Sequence, residues 1–270
     1  IDNVCLKHPS LKGLREHLGA LVSLHQDLSE LFAGTQPVGP PPADAIEVEG
    51  YKLVERLGMG GMGEVYLAQQ IAPERLCALK ILRQNVPGGL QRFKREADLA
   101  AQLSHDGIAR VYACGLAEER PFLASEYIDG YTLRDLMDVA PHVDHEDPDS
   151  WLVKAFELLH GGIHEELFTT APLPAHVALR LASEVSQALS HAHTRKVVHR
   201  DIKPRNVMVT LEDGVKVIDF GIAIAAEAGD DRFTATGAFI GSYRYAAPEQ
   251  LRGEQEQIGS WTDTYALGAT

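Results

Sequence analysis

Basic residues are in short supply in this chain: 25 lysines and arginines face 38 aspartates and glutamates, a net charge of -13. No basic stripe offsets that excess, which excludes a nucleic-acid surface. Cysteine is scarce as well. Cys5, Cys77 and Cys114 are odd in number, far apart and in no metal-ligand spacing. A disulfide framework is therefore excluded, and the usage fits a reducing cytoplasm. Long hydrophobic runs are missing too, none approaching the ~18 residues of a membrane helix. The start at Ile1 has neither an initiator methionine nor a signal-peptide pattern, and the end at Thr270 falls inside the apolar run TYALGAT. The chain reads as a piece of a longer protein, with any membrane anchoring expected beyond it.

What is present centres on His199 to Asn206, HRDIKPRN. A carboxylate (Asp201), a cation (Lys203) and an amide (Asn206) fall within six residues. Apolar residues flank them: Val197 and Val198 before, Val207, Met208 and Val209 after. Such runs predict buried strands on both sides, holding the polar residues on a rigid loop. A carboxylate there can accept a proton from a hydroxyl, a nearby cation can neutralise a transferring anion, and an amide oxygen can ligate a hard metal.

Taken in order, residues 10–33 predict an amphipathic helix, with Leu11, Leu14, Leu18, Leu21, Leu28 and Phe32 on one seam. That seam either packs on its own chain or dimerises. Residues 1–36 form this segment, and the proline-rich stretch 37–47 reads as a linker. From Tyr51 the period becomes two. Gly58, Gly60 and Gly63 spell G-x-G-x-x-G between two strands, which disfavours a dinucleotide turn opening a helix. The glycines serve either a plain hairpin or a cover for a triphosphate.

A strand over Leu76 to Leu82 places Ala78 and Lys80 on one face, with Val65 closing over the same space. Lys80 either reaches solvent from an edge or meets an anion, since an unpaired buried charge is costly. A helix over Gln91 to Leu103 sets Glu96 beside the stripe Phe93, Ala97, Ala100 and Leu103. Glu96 either pairs with Lys80 or lies in solvent. Strands over Ala109 to Cys114 and Pro121 to Tyr127 complete a strand-rich unit.

An insertion at about 137–173 follows, predicted to dock on the surface by the aromatics of a helix over Trp151 to Leu159. No cysteine joins His142, His145, His160 and His164, and Gly161-Gly162 breaks the helix between the last pair, which favours that reading over a metal site. The longest helix is expected over Pro174 to Lys196, with Val177, Leu181, Val185, Ala188 and Ala192 buried. Asp219 then leaves an apolar strand (Val215, Val217, Ile218), as a metal ligand or as a misplaced charge.

Set in this order, GMGGMGEVY, CALK, Glu96, HRDIKPRN, the DFG of Asp219 to Gly221 and the AAPE ending at Glu249 resemble the eukaryotic-like Ser/Thr protein kinases of bacteria, the Hanks type, from about Tyr51 to Thr270. The resemblance implies an α+β bilobal fold: an antiparallel strand lobe over 48–128 and a mainly helical lobe over 129–270. It implies ATP and Mg2+ as cofactors. Leu57, Gly58, Gly60, Gly63, Val65, Ala78, Lys80, Glu126, Ile128 and Met208 match the ATP-binding positions, with Val65, Ala78 and Met208 sandwiching adenine. Lys80, held by Glu96, matches the residue that contacts the phosphates. Asn206 and Asp219 match the metal ligands, Asp201 the base that orients the protein hydroxyl, and Lys203 the cation on the transferring phosphoryl.

Protein substrates with Ser or Thr hydroxyls follow, as does autophosphorylation at Thr234 and Thr236, in trans within a homodimer if one forms. A kinase-like scaffold without turnover is the alternative, and the complete catalytic set argues against it. Three departures stand out: Ile224 where relatives carry arginine, Ser125 where a larger residue usually guards the pocket behind adenine, and the long insertion. Because the helix beginning near Trp261 is cut at Thr270, the piece alone is expected to lack activity.

Overall fold

A computed structural model describes residues 41–42, 45–60, 63–82, 89–143, 150–160, 172–220 and 244–270. The expected helix over residues 10–33 lies outside them. So do the phosphorylation candidates Thr234 and Thr236, with Ile224 and Ser242, and the side chain of Glu96.

Five antiparallel strands form the first sheet: β1 (Tyr51–Gly60), β2 (Gly63–Gln70), β3 (Arg75–Leu82), β4 (Val111–Ala117) and β5 (Arg120–Glu126), in the order β1-β2-β3-β5-β4. Alternation along β3 sorts the two faces. Cys77, Leu79 and Ile81 point into a small core with Tyr66, Ala68, Phe122 and Ala124. Ala78, Lys80 and Leu82 take the opposite face by the strand's period of two. Register sets Val65 against Lys80 and Leu67 against Ala78, as the period predicted. The helix α1 (Gly89–Ala101) covers that second face, burying Phe93, Ala97 and Ala100.

The second part carries a small sheet of β6 (Tyr131–Thr132), β7 (Val207–Thr210) and β8 (Gly214–Val217). Its helices are α2 (Leu133–Val139), α3 (Trp151–His160), α4 (Ala175–Thr194), α5 (Pro248–Leu251) and α6 (Ser260–Ala269). A capping box starts α2: the Thr132 hydroxyl accepts from the Asp135 N–H while Asp135 accepts from the Thr132 N–H. One larger core runs from Phe93 and Leu103 through Ile108 to Leu136, Trp151, Val185 and Val217. The connector between the parts is stitched to β8, the Ala109 N–H meeting Val217 O at 3.0 Å and the Val217 N–H meeting Gly107 O at 2.8 Å.

Two expectations need correcting. Val197 and Val198 form no strand. The Lys196 N–H bonds His193 O and the Val197 N–H bonds Ala192 O, a Schellman end with Lys196 left-handed at φ 62°. That reversal ends α4 at Thr194 and turns the following residues inward as irregular chain. The insertion helix is also more than a surface attachment. Trp151, Leu152, Ala155, Phe156 and Leu159 are all buried in the main core. Tyr131 closes the join, its ring 5.1 Å from Phe156 and its hydroxyl 3.0 Å from His160 Nδ1.

No group of three metal-ligating side chains occurs among the described residues; His145 and His164 lie outside them. None of the described helices is long and apolar enough to cross a membrane.

Candidate active site

The loop after α4 is held from below by one fully buried carboxylate. Asp263 on α6 accepts the His199 N–H (2.8 Å) and His193 Nε2 (2.7 Å) at Oδ2, and the Arg200 N–H (2.7 Å) at Oδ1. An ionised carboxylate accepting backbone N–H groups in a dry site makes strong, directional bonds. His199 is wholly buried and its tautomer follows from its partners. Nε2 meets the Ile218 carbonyl at 2.8 Å, which can only accept, so Nε2 carries the proton. Nδ1 is then the acceptor for the Asp201 N–H, at 3.2 Å. The ring also packs on Phe220, centroids 4.6 Å apart. One imidazole thus joins the catalytic-type loop to the end of β8.

Above this floor the polar side chains converge. Asp201 Oδ2 accepts Lys203 Nζ at 2.6 Å and Asn206 Nδ2 at 2.9 Å. Asn206 Nδ2 also reaches Asp201 O at 2.7 Å, so the amide nitrogen is engaged and its oxygen is the atom a cation can use. The Ile218 N–H bonds Asn206 O at 3.0 Å, which brings the loop beside Asp219. Across from them Lys80 Nζ lies 2.7 Å from Asp219 Oδ2. Burial by itself would raise the Asp219 carboxyl. The Lys80 ammonium outweighs it, with Lys203 adding, and holds Asp219 below its ordinary value of 3.8. Asp219 is left-handed, φ 59°.

Asp219 and Asn206 supply a carboxylate and an amide oxygen, the hard donors that suit Mg2+, which needs only one or two carboxylates when phosphates complete its shell. The residues therefore fit the ion. The glycines separate into two kinds. A Cβ at Gly63 would collide with the Ile81 carbonyl, so packing alone accounts for that glycine. Around Gly58 nothing described lies within 4 Å of such a Cβ. Packing among the described residues does not require glycine there, which leaves room for a ligand as its rationale. Gly60 pairs with Gly63 at the hairpin end.

Leu57, Val65, Ala78 and Met208 are half-buried, and Ile128 is buried. Glu126, at the end of β5, accepts Lys216 Nζ at 2.7 Å and the Arg110 N–H at 3.1 Å. Ser125 lines a cavity behind this region with Leu123, Asp219, Phe220 and Ala100. Lys80 meets Asp219, and its expected pairing with Glu96 falls on a side chain outside the described residues.

Sequence reading passed over Asp263, Gln250 and Lys216. Asp263 left one signal, being the single charged residue of the run Ser260 to Thr270.

A five-stranded antiparallel sheet and a helical part thus meet at a carboxylate, two cations and a hard-oxygen pair, groups of the kind that phosphoryl transfer uses. The protein kinase domain model matches residues 51–270, and the chain belongs to that family. It is 37% identical over 225 residues to serine/threonine-protein kinase PknB of Mycobacterium leprae, covering 81% of this chain and 31% of that protein. It is 33% identical over 221 residues to serine/threonine-protein kinase PrkC of Bacillus subtilis, covering 81% and 29%. The chain thus spans about a third of the length of these relatives. Two crystal structures of the Mycobacterium tuberculosis PknI kinase domain match at TM-scores of 0.60 and 0.57, each 27% identical and covering 84% of this chain and 74% of the other.

Proposed function

We propose that this chain is the catalytic domain of a serine/threonine protein kinase, divided at about residue 128 into two lobes, which transfers the γ-phosphoryl of Mg-ATP to protein hydroxyls. The observation that carries the reading is the Asp201 carboxylate, gripped at one oxygen by Lys203 and Asn206 beside an Asp219 paired with Lys80. With Oδ2 so engaged, Oδ1 of Asp201 is the oxygen that receives the proton of the incoming hydroxyl. Lys203, at 2.6 Å from that carboxylate, neutralises charge on the transferring group.

When bound, Mg2+ neutralises and orients the phosphates, and Asn206 and Asp219 are its protein ligands. Lys80 holds the α- and β-phosphates, with Glu96 as its further partner. Gly58, Gly60 and Gly63 cover the phosphates. Leu57, Val65, Ala78, Ile128 and Met208 enclose adenine, and the backbone at Glu126 and Ile128 reads its edge. The proposed setting is the cytoplasm, with protein substrates and trans-autophosphorylation between two copies.

The test is metal-dependent transfer of labelled γ-phosphate to a generic protein by the full-length protein. Incorporation into Ser or Thr that is lost in Asp201→Asn supports the reading. Nucleotide binding without transfer would make the protein a scaffold instead.

A further inference from the structure

We propose that Gln250 is a positioning residue for the base, holding the peptide unit from which Asp201 hangs. The proposal rests on the kinase reading and extends it to a side chain that touches no substrate.

Arg200 is left-handed, φ 69°, a conformation that a side chain with a Cβ keeps only when its surroundings impose it. The peptide before it is held at the Arg200 N–H by Asp263, at 2.7 Å. The peptide after it contains the Arg200 carbonyl and the Asp201 N–H in one plane. Its nitrogen end makes the longer 3.2 Å bond to His199 Nδ1. Its oxygen end accepts Gln250 Nε2 at 2.7 Å, the shorter contact of the two. Rotation of that plane would swing the Asp201 Cα–Cβ bond, so Gln250 sets the direction of the carboxylate.

The side chain is suited to this work. Gln250 is 4% exposed, and its Oε1 accepts the Ala247 N–H at 3.0 Å. Both ends of the amide are therefore used, and that fixes which end faces Arg200. The preceding residue ties the same short helix elsewhere: Glu249 Oε1 accepts the Thr262 hydroxyl at 2.6 Å, on α6 one residue before Asp263. Asp263 and Gln250 grip Arg200 at its two ends, one from α6 and one from α5. A shift of α5 reaches Asp201 through a single amide.

The experiment compares Gln250→Met and Gln250→Glu with wild type in the full-length protein, well below its melting range. In Gln250→Met, kcat is expected to fall roughly ten- to a hundredfold, as for a misplaced reacting group, with KM for ATP nearly unchanged. Hydrogen exchange at the Asp201 amide is expected to quicken while α4 stays protected. Gln250→Glu can donate to the Arg200 carbonyl only when its carboxyl is neutral, a form that burial favours. Its kcat relative to wild type is therefore expected to rise as pH falls, while Gln250→Met shows no such rescue.

A Gln250→Met protein with a lowered Tm but wild-type kcat and wild-type exchange at Asp201 would make Gln250 a structural residue and overturn the proposal. So would a Gln250→Glu profile parallel to wild type. Should the wild-type protein transfer no phosphate, the kinase reading fails, and exchange at Asp201 still decides whether Gln250 holds that peptide.

Discussion

Lys80 and Asp219 are 139 residues apart in the chain, yet Nζ and Oδ2 meet at 2.7 Å. The lysine comes from the middle of β3 and the carboxylate from the residues after β8. Their contact joins the two parts of the protein across the site. Because Asp219 is held below its ordinary value of 3.8, the pair stabilises the fold above that pH. That contribution is lost as pH falls through the lower folded value.

Acid unfolding checks the pair directly. Denaturant midpoints of the full-length protein followed below about pH 4 are expected to drop less steeply in Asp219→Asn than in wild type, because the ionised carboxylate has been removed. Parallel acid limbs would show that Lys80 does not hold Asp219 ionised.

Asp201→Asn is expected to retain the fold and nucleotide binding while losing about 10²–10⁴-fold in kcat, the usual weight of general base catalysis. Asparagine still accepts from Lys203 at its oxygen but cannot take a proton from the substrate hydroxyl. Single-turnover phosphate transfer measures this, and near-normal rates would remove Asp201 from the role of base.

Asp263→Asn removes a fully buried acceptor that serves three donors. An amide offers one oxygen and brings an NH2 group against donors already present, so at least one N–H is left without a partner. A loss of about 1–3 kcal/mol per unsatisfied group is expected. The accompanying fall in kcat should exceed any change in KM for ATP, because the His199–Arg200 backbone moves. Equilibrium unfolding and steady-state kinetics together test both parts.

Trp151→Ala probes the insertion helix. Trp151 is 0% exposed in the main core, so its truncation is expected to cost about 3–5 kcal/mol. A surface attachment would lose far less than that, which a urea titration distinguishes.

Incubation of the full-length protein with Mg-ATP is expected to place phosphate on Thr234 and Thr236, each adding roughly -1.5 to -2 charge that an arginine such as Arg200 can receive. Mass spectrometry reads the sites. Full activity of the Thr234→Ala/Thr236→Ala double variant, with no phosphate found there, would locate the switch elsewhere.

The sequence by itself determined most of the elements that carry the candidate site residues. Period-two alternation placed Ala78 and Lys80 on one strand face opposite Val65, and the three-four spacing of Val177, Leu181, Val185, Ala188 and Ala192 marked the buried face of α4. Both patterns are local, because side-chain direction in a strand or helix depends only on position along it. Motif order from Gly58 to Glu249 carried the family for the same reason.

Only the tertiary structure decided what lay between elements. Whether Lys80 meets Asp219 depends on how β3 approaches β8, and no spacing encodes that distance. The insertion helix shows an apolar face in the sequence, but burial of Trp151 requires the main core, which exists only after folding. Val197 and Val198 read as a strand until the left-handed Lys196 turned them inward. Asp263 and Gln250 looked like an ordinary polar pair near the end of the chain. Their place beneath Arg200 arises because a buried loop must find partners for its N–H and C=O groups, wherever in the chain those partners lie.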